Sequence, residues 1–319
     1  MKFVRLSSLC LAAVLAIGTK LYALEEQKTG AISHYIMGVY YEDLGDIDKA
    51  LNEYRQASAS DSSAAIHLGL ASTYVKKGDL AQAINELKTC IELDPGAVEP
   101  HAILAVIYAS LNKNSLAEAE YEAALKIASS SEPGNPLIYK ELGFLYLKQD
   151  KLKEALAAFK FSLTLSPDDF QTHFYLGVIY DKIKDFALSE KELKKAIESN
   201  PDFAVGLNYL GYMYAQQNRN LREAEKLIRR ALKLEEHNAA YIDSLGWVYF
   251  KQGKIKEAFK EIEKASILIE DPEVYDHLGD VYLKLNNAKE AEASWKKSLE
   301  LAPQQGPVKE KLDKLNKLK

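Results

Sequence analysis

Cysteine is nearly absent: two residues among 319, Cys10 and Cys90. Cys10 falls in an N-terminal segment that reads as removable, which leaves Cys90 alone. A disulfide framework is then excluded, and packing has to hold the fold. Glycine is sparse and scattered, with 16 residues and no Gly-rich phosphate loop. There is no HExxH, no nucleophile elbow and no paired-cysteine metal motif, so the chain reads as non-enzymatic, without cofactor or metal. Positive charge is not in excess: the formal net charge is −5, which argues against a phosphate-backbone binder and leaves no nucleic-acid partner expected. The N-terminal apolar run from Leu9 to Ile17 is nine residues, too short to cross a bilayer core of roughly 30 Å as a helix.

That run is nonetheless informative. Lys2 and Arg5 precede it, and Gly18, Thr19 and Ala23 follow, the pattern of a secretory signal peptide over 1–23 with cleavage near Ala23. Cleavage would remove Lys2, Arg5 and Lys20 and take the net charge from −5 to −8. Cys10 follows Leu9, without the small residue that lipidation requires before it, so a lipoprotein is not expected. The expected location is exported and periplasmic; membrane association follows only if the segment stays uncleaved.

Beyond residue 30 the chain repeats itself. Small residues at Gly38, Ala71, Ala105, Gly143, Gly177, Gly211, Gly246 and Gly279 are separated by 33, 34, 38, 34, 34, 35 and 33 residues. Each follows a large apolar residue, as in Met37, Leu70 and Leu245, and each is followed three positions later by tyrosine, from Tyr41 to Tyr282. A second segment of each unit carries two further small residues seven apart, such as Ala50 and Ala57 or Ala258 and Ala265. Residues three, four and seven apart share a helix face, so each unit is a helix–turn–helix hairpin whose small residues let two axes approach. Gly45-Asp46, Gly78-Asp79 and Gly253 mark inner turns, and Pro95, Pro167, Pro201 and Pro303 mark ends of second helices.

A period near 34 with one helix pair per unit resembles the tetratricopeptide-repeat family. The resemblance covers nearly all of the mature chain, and Asn208–Gly253 is similar to tetratricopeptide scaffold proteins of bacterial envelopes. It implies an all-α, right-handed superhelix of eight hairpins, with repeats one to three over 31–131 and four to eight over 136–305. The stretch 306–319 reads as a C-terminal capping helix that turns Val308, Leu312 and Leu315 inward. Ser129–Asn135, which is four residues in excess of the period, reads as a flexible joint, and one extra residue near Asn218–Leu221 falls in the inner turn of repeat six.

Candidate functional residues sort into three groups. His34, His67, His101 and His173 recur once per repeat, too far apart to share a metal, and read as packing residues. His237 and His277 have no matching partner nearby in sequence. Arg222, Lys226, Arg229, Arg230 and Lys233 form a basic face on the second helix of repeat six; it suits a polysaccharide or lipid surface, or simply solvent, since Glu223 and Glu225 interleave it. The third group follows from the resemblance, which implies that positions five and nine of each first helix line a concave groove. Those rows and their neighbours hold Phe144, Phe174, Asn208, Tyr209, Tyr212, Asp243, Trp247, Phe250, Asp276 and Asp280. Aromatic area beside hydrogen-bonding side chains suits a peptide. The expected function is therefore a non-catalytic adaptor of the bacterial cell envelope that binds a partner protein or peptide in its groove. Self-assembly into a homo-oligomer and envelope-surface binding through the convex face are the alternatives.

Overall fold

A computed structural model describes residues 28–317, so the expected signal segment and its cleavage site lie outside the described residues. Those residues form helices and turns with no strand. Two compact units divide between Lys151 and Leu152. The first holds α1 (28–43), α2 (Ile47–Ser60), α3 (Ala64–Lys77), α4 (Leu80–Leu93), α5 (Val98–Ser110), α6 (Asn114–Ser131) and α7 (Pro136–Lys148). The second holds α8 (Leu152–Leu165), α9 (Phe170–Lys182), α10 (Phe186–Ser199), α11 (Ala204–Gln216), α12 (Leu221–Leu234), α13 (Ala239–Lys251), α14 (Ile255–Leu268), α15 (Pro272–Lys284), α16 (Ala288–Leu301) and α17 (Gly306–Lys317).

Within each unit, consecutive helices pair as hairpins, and each hairpin stacks on the next. The turns explain the regular length. One residue per hairpin takes the left-handed conformation and reverses the chain: Gly45, Gly78, Asn112, Asp150, Lys184, Asn218, Gly253 and Asn286. Each stands seven residues after the small residue of its first helix, so turn and packing keep one register. Glycine meets no steric cost there, and asparagine or aspartate little. The extra residue of repeat six gives its turn a second left-handed residue, Asn220. Several second helices open on a side-chain cap, as where Asp46, Asp79 and Asp185 accept from the backbone N–H groups of Lys49, Gln82 and Leu188.

The packing is as close as the small residues imply. A Cβ added to Gly246 would stand 2.5 Å from Ile262 Cγ1, and one added to Gly279 would stand 2.4 Å from the indole nitrogen of Trp295. Opposite the small position, where it is glycine, sits one large, fully buried side chain from the second helix: Tyr54, Leu193, Ile228, Ile262 or Trp295. This pairing of a small residue with a knob about 16 positions later builds the core of each hairpin. The repeated tyrosines reach the preceding hairpin: Arg55 of α2 lies over the ring of Tyr74, and Arg229 of α12 lies over Tyr249.

Two local features go beyond the sequence reading. The four excess residues of Ser129–Asn135 are spent largely on helix: α6 has 18 residues where its counterparts have 14. The hydroxyls of Ser129 and Ser130 donate to Lys126 O, and that of Ser131 to Ile127 O, so the serines continue the helix by one turn. Asn135 then caps α7, with Pro136 in its first turn. At the other end α17 buries Val308, Leu312 and Leu315 against Ala291 and Trp295 and closes the last hairpin as a cap. Cys90 is buried, its thiol donating to Ala64 O, and burial pushes its pKa up.

Candidate functional site

First helices α11, α13 and α15 lie side by side. They carry eight of the ten expected groove residues, all buried or half-buried. Asn208, Tyr209, Tyr212 and Asp243 surround a cavity of about 180 Å³, together with Ser244, Asp271 and Glu273. Tyr209 and Tyr212 are also the near wall of a second cavity of about 310 Å³, which reaches Asp181, Met213 and Gln216. A third, of about 540 Å³, lies between Trp247, Phe250, Lys251, Glu273, His277, Asp280 and the start of α17. Shared lining residues make the three one recessed surface.

The hydrogen bonding is dense. Tyr209 donates to Asp181 at 2.9 Å, and Tyr212 donates to Glu273 while accepting from Gln216. Burial and the neighbouring carboxylates drive both phenol pKa values far up, so both rings remain neutral donors. His277 Nδ1 lies 2.8 Å from Asp243 Oδ2, with both side chains buried. Burial alone would depress the imidazole pKa, but the carboxylate of Asp243 outweighs it, and His277 is raised. Trp247 is 6% exposed and lies between Phe250, stacked at 4.9 Å, and His277, stacked at 3.9 Å. Lys251 Nζ sits 4.4 Å from the Trp247 ring centroid. Lys311 of α17 bridges Asp276 at 2.6 Å and Asp280 at 2.8 Å. Burial raises the Asp280 pKa even so.

The ten expected groove residues therefore divide. Asn208, Tyr209, Tyr212 and Asp243 meet at one cavity; Trp247 and Phe250 form the wall of its neighbour. Asp276 and Asp280 are engaged by the chain's own capping helix. Phe174 is buried beneath the surface, edge-on to Phe203 and Tyr209. Phe144 belongs to the first unit, where it lines an apolar cleft of about 480 Å³ floored by Ala102, Ala105, Ala109 and Ala117. Small alanines hollow out this cleft.

Glu273, Gln216, His277, Lys251 and Lys311 were missed. The His277 partner is one helix away at a spacing of 34 residues, so a search confined to near neighbours cannot find it. Four of the other histidines likewise have acidic partners: His34, His67, His101 and His173 lie 2.6–2.7 Å from Glu53, Glu86, Glu120 and Glu192, each 19 residues on. The hydrogen bond to Glu192 raises the His173 pKa against burial. On the basic face of α12, Arg229 pairs with Glu225, Lys226 with Glu223, and Arg230 donates to Pro201 O.

Models of the tetratricopeptide repeat match residues 42–107, 98–131, 141–204 and 180–234. The chain belongs to the tetratricopeptide-repeat family. The model of anaphase-promoting complex, cyclosome, subunit 3 also matches, at 217–298. A TPR repeat-containing protein of Pseudomonas aeruginosa is 25% identical over 78% of this chain and 36% of its own length. The type IV pilus assembly protein PilF of the same organism is 28% identical over 53% of this chain and 64% of its own. This tetratricopeptide chain thus spans about a third of the first relative and less than two thirds of the second. A crystal structure of a tetratricopeptide repeat protein from Parabacteroides merdae shares the fold with a TM-score of 0.58 and 21% identity, covering 78% of this chain and 96% of that one. Tetratricopeptide arrays are protein–protein interaction scaffolds, and three cavities recess the surface on α11, α13 and α15. Among the described residues no helix is long and apolar enough to cross a membrane.

Proposed function

We propose that the protein is an exported, non-catalytic scaffold of the bacterial cell envelope that holds a segment of a partner protein across α11, α13 and α15. The observation that carries this is the run of three cavities sharing Tyr209, Tyr212, Gln216 and Glu273 as common walls. Side chains from adjacent repeats alternate aromatic area with hydrogen-bonding groups along it, which is what an extended chain needs for affinity and register. Trp247 acts as wall rather than as a free anchor, since it is already buried between Phe250 and His277. The signal pattern of residues 1–23 and the likeness to a pilus assembly protein support the envelope assignment.

The test reverses the rim without touching the core. Gln216 and Glu273 are both exposed, and a wild-type melting profile is the control that the Gln216→Arg, Glu273→Arg double variant, which frees the Tyr212 hydroxyl, keeps the fold. Crosslinking capture from envelope extract should then yield a partner with wild type and lose it with the variant. Equal capture by both proteins would remove the binding site from this face. Export is checked separately by intact mass: the mature chain should begin at Leu24, and a retained Met1 in the envelope fraction would refute cleavage.

A further inference from the structure

The smallest of the three cavities is chemically one-sided. The hydroxyls on its wall are already spent: Tyr209 donates to Asp181, Tyr212 to Glu273, and Ser244 to Ala240 O. Two acceptors are not. Asn208 Oδ1 and Asp243 Oδ1 are both buried without a hydrogen-bond partner in the chain, although the Asp243 residue is only 5% exposed. An unpaired buried carboxylate oxygen costs free energy unless a donor reaches it. Asp271 and Glu273 complete the lining, and no lysine, arginine or histidine belongs to it. The positive end of α15 is already answered, because Asp271 accepts from the backbone N–H groups of Glu273 and Val274. His277 neutralises Asp243 only from the far side, through Oδ2. Among the described residues, no group of three or more His, Cys, Asp or Glu is placed to hold a metal ion.

We infer that this cavity is a subsite for a cationic side chain, an arginine of the bound partner, received by the Asn208, Asp243 and Glu273 side chains that line it beside Tyr209 and Tyr212. The inference rests on the groove reading above and specifies the partner chemistry it selects. A guanidinium fits better than an ammonium: its planar fork offers five N–H donors to separated acceptors and stacks on aromatic faces. A volume of about 180 Å³ admits one side-chain head rather than a run of backbone.

The experiment is selection from a random linear peptide library displayed on phage, with the full chain as bait, followed by titration of the selected peptides. Selected peptides should share one fixed arginine. Replacing it with citrulline, which keeps the shape and loses the charge, should weaken binding at least about tenfold, as expected for hydrogen bonds to a charged group. Asp243→Asn should weaken the arginine peptide similarly and leave arginine and citrulline peptides nearly equal. Because Asp243 also holds His277, Asn208→Ala serves as the milder second variant and should cost several-fold with the melting profile unchanged. Peptides that lose binding to the Gln216→Arg, Glu273→Arg variant but carry no fixed basic residue would overturn the arginine subsite and leave the groove standing. Peptides indifferent to both sets of variants, or no selected peptide, would overturn both. Free arginine binding as tightly as the peptides would make the ligand a small molecule and refute the partner assignment.

Discussion

Gly246→Ala tests the close approach of α13 and α14 in both sign and size. In an exposed helix the change would stabilise by about 1 kcal/mol, because alanine gives up less backbone entropy than glycine. Here the new Cβ would meet Ile262 Cγ1 at 2.5 Å, Ile262 N at 3.1 Å and Ala258 O at 3.2 Å. Two of those contacts are backbone, and Ile262 is fully buried with nowhere to swing. The helices must part, at a cost of about 1–3 kcal/mol for an overpacked core. Set against that gain of about 1 kcal/mol, the net expectation is a destabilisation of up to about 2 kcal/mol. Ile262→Ala removes the nearest contact and on its own costs about 2–5 kcal/mol through the cavity it leaves. In that background the added methyl enters freed space, so Gly246→Ala should become nearly neutral. The two changes should therefore couple by about 1 kcal/mol or more. Urea unfolding of the full chain, followed by far-ultraviolet circular dichroism for wild type, both single variants and the double, measures the cycle. A stabilising Gly246→Ala in the wild-type background would refute the tight contact, as would effects that add within about 0.5 kcal/mol.

Two further outcomes follow from the electrostatics. The His173 and His277 pKa values lie above the ordinary 6.5, so protonated imidazole stabilises the fold; the contribution is complete below pH 6.5 and is lost as pH rises through the folded values. The melting temperature should fall across that window, and His277→Gln should flatten the slope; an unchanged slope would dismiss the Asp243–His277 pair as its source. Lys311→Met should release α17, because Asp276 and Asp280 lose their cation while Asp280 remains buried. With Lys311 only partly covered, about 1–2 kcal/mol is expected, read as faster amide exchange confined to α17. Exchange unchanged there would show that Val308, Leu312 and Leu315 hold the cap alone.

The repeat architecture was legible because one geometric requirement recurs eight times: small residues must stand where helices nearly touch. A tyrosine three positions later and a turn seven positions later fall into the same register, so each unit corroborates the others. The candidate site was legible as a list of faces but not as a set of partners. Position within a repeat says that Asp243 and Trp247 point along one side; it cannot say that His277 comes over from the next hairpin to take both. Lys311 was hidden for the same reason, since its carboxylates lie 31 and 35 residues earlier on a helix that α17 meets only after folding back. The histidine–glutamate pairs are the instructive intermediate case. Their constant spacing of 19 residues stands in the sequence, but it links the two helices of a hairpin and matches neither a helical period nor the repeat length.

The extra turn of α6 also gives the chain a mechanical label. A stacked array pulled from its ends gives way hairpin by hairpin, and each event frees the residues between successive reversals. Those intervals are 33 to 35 residues everywhere except between Asn112 and Asp150, where the interval is 38. At about 3.5 Å per extended residue, four more residues lengthen that one step by roughly 14 Å. A force–extension trace would thus carry one long step among uniform ones. Its place in the series would reveal from which end the array unravels.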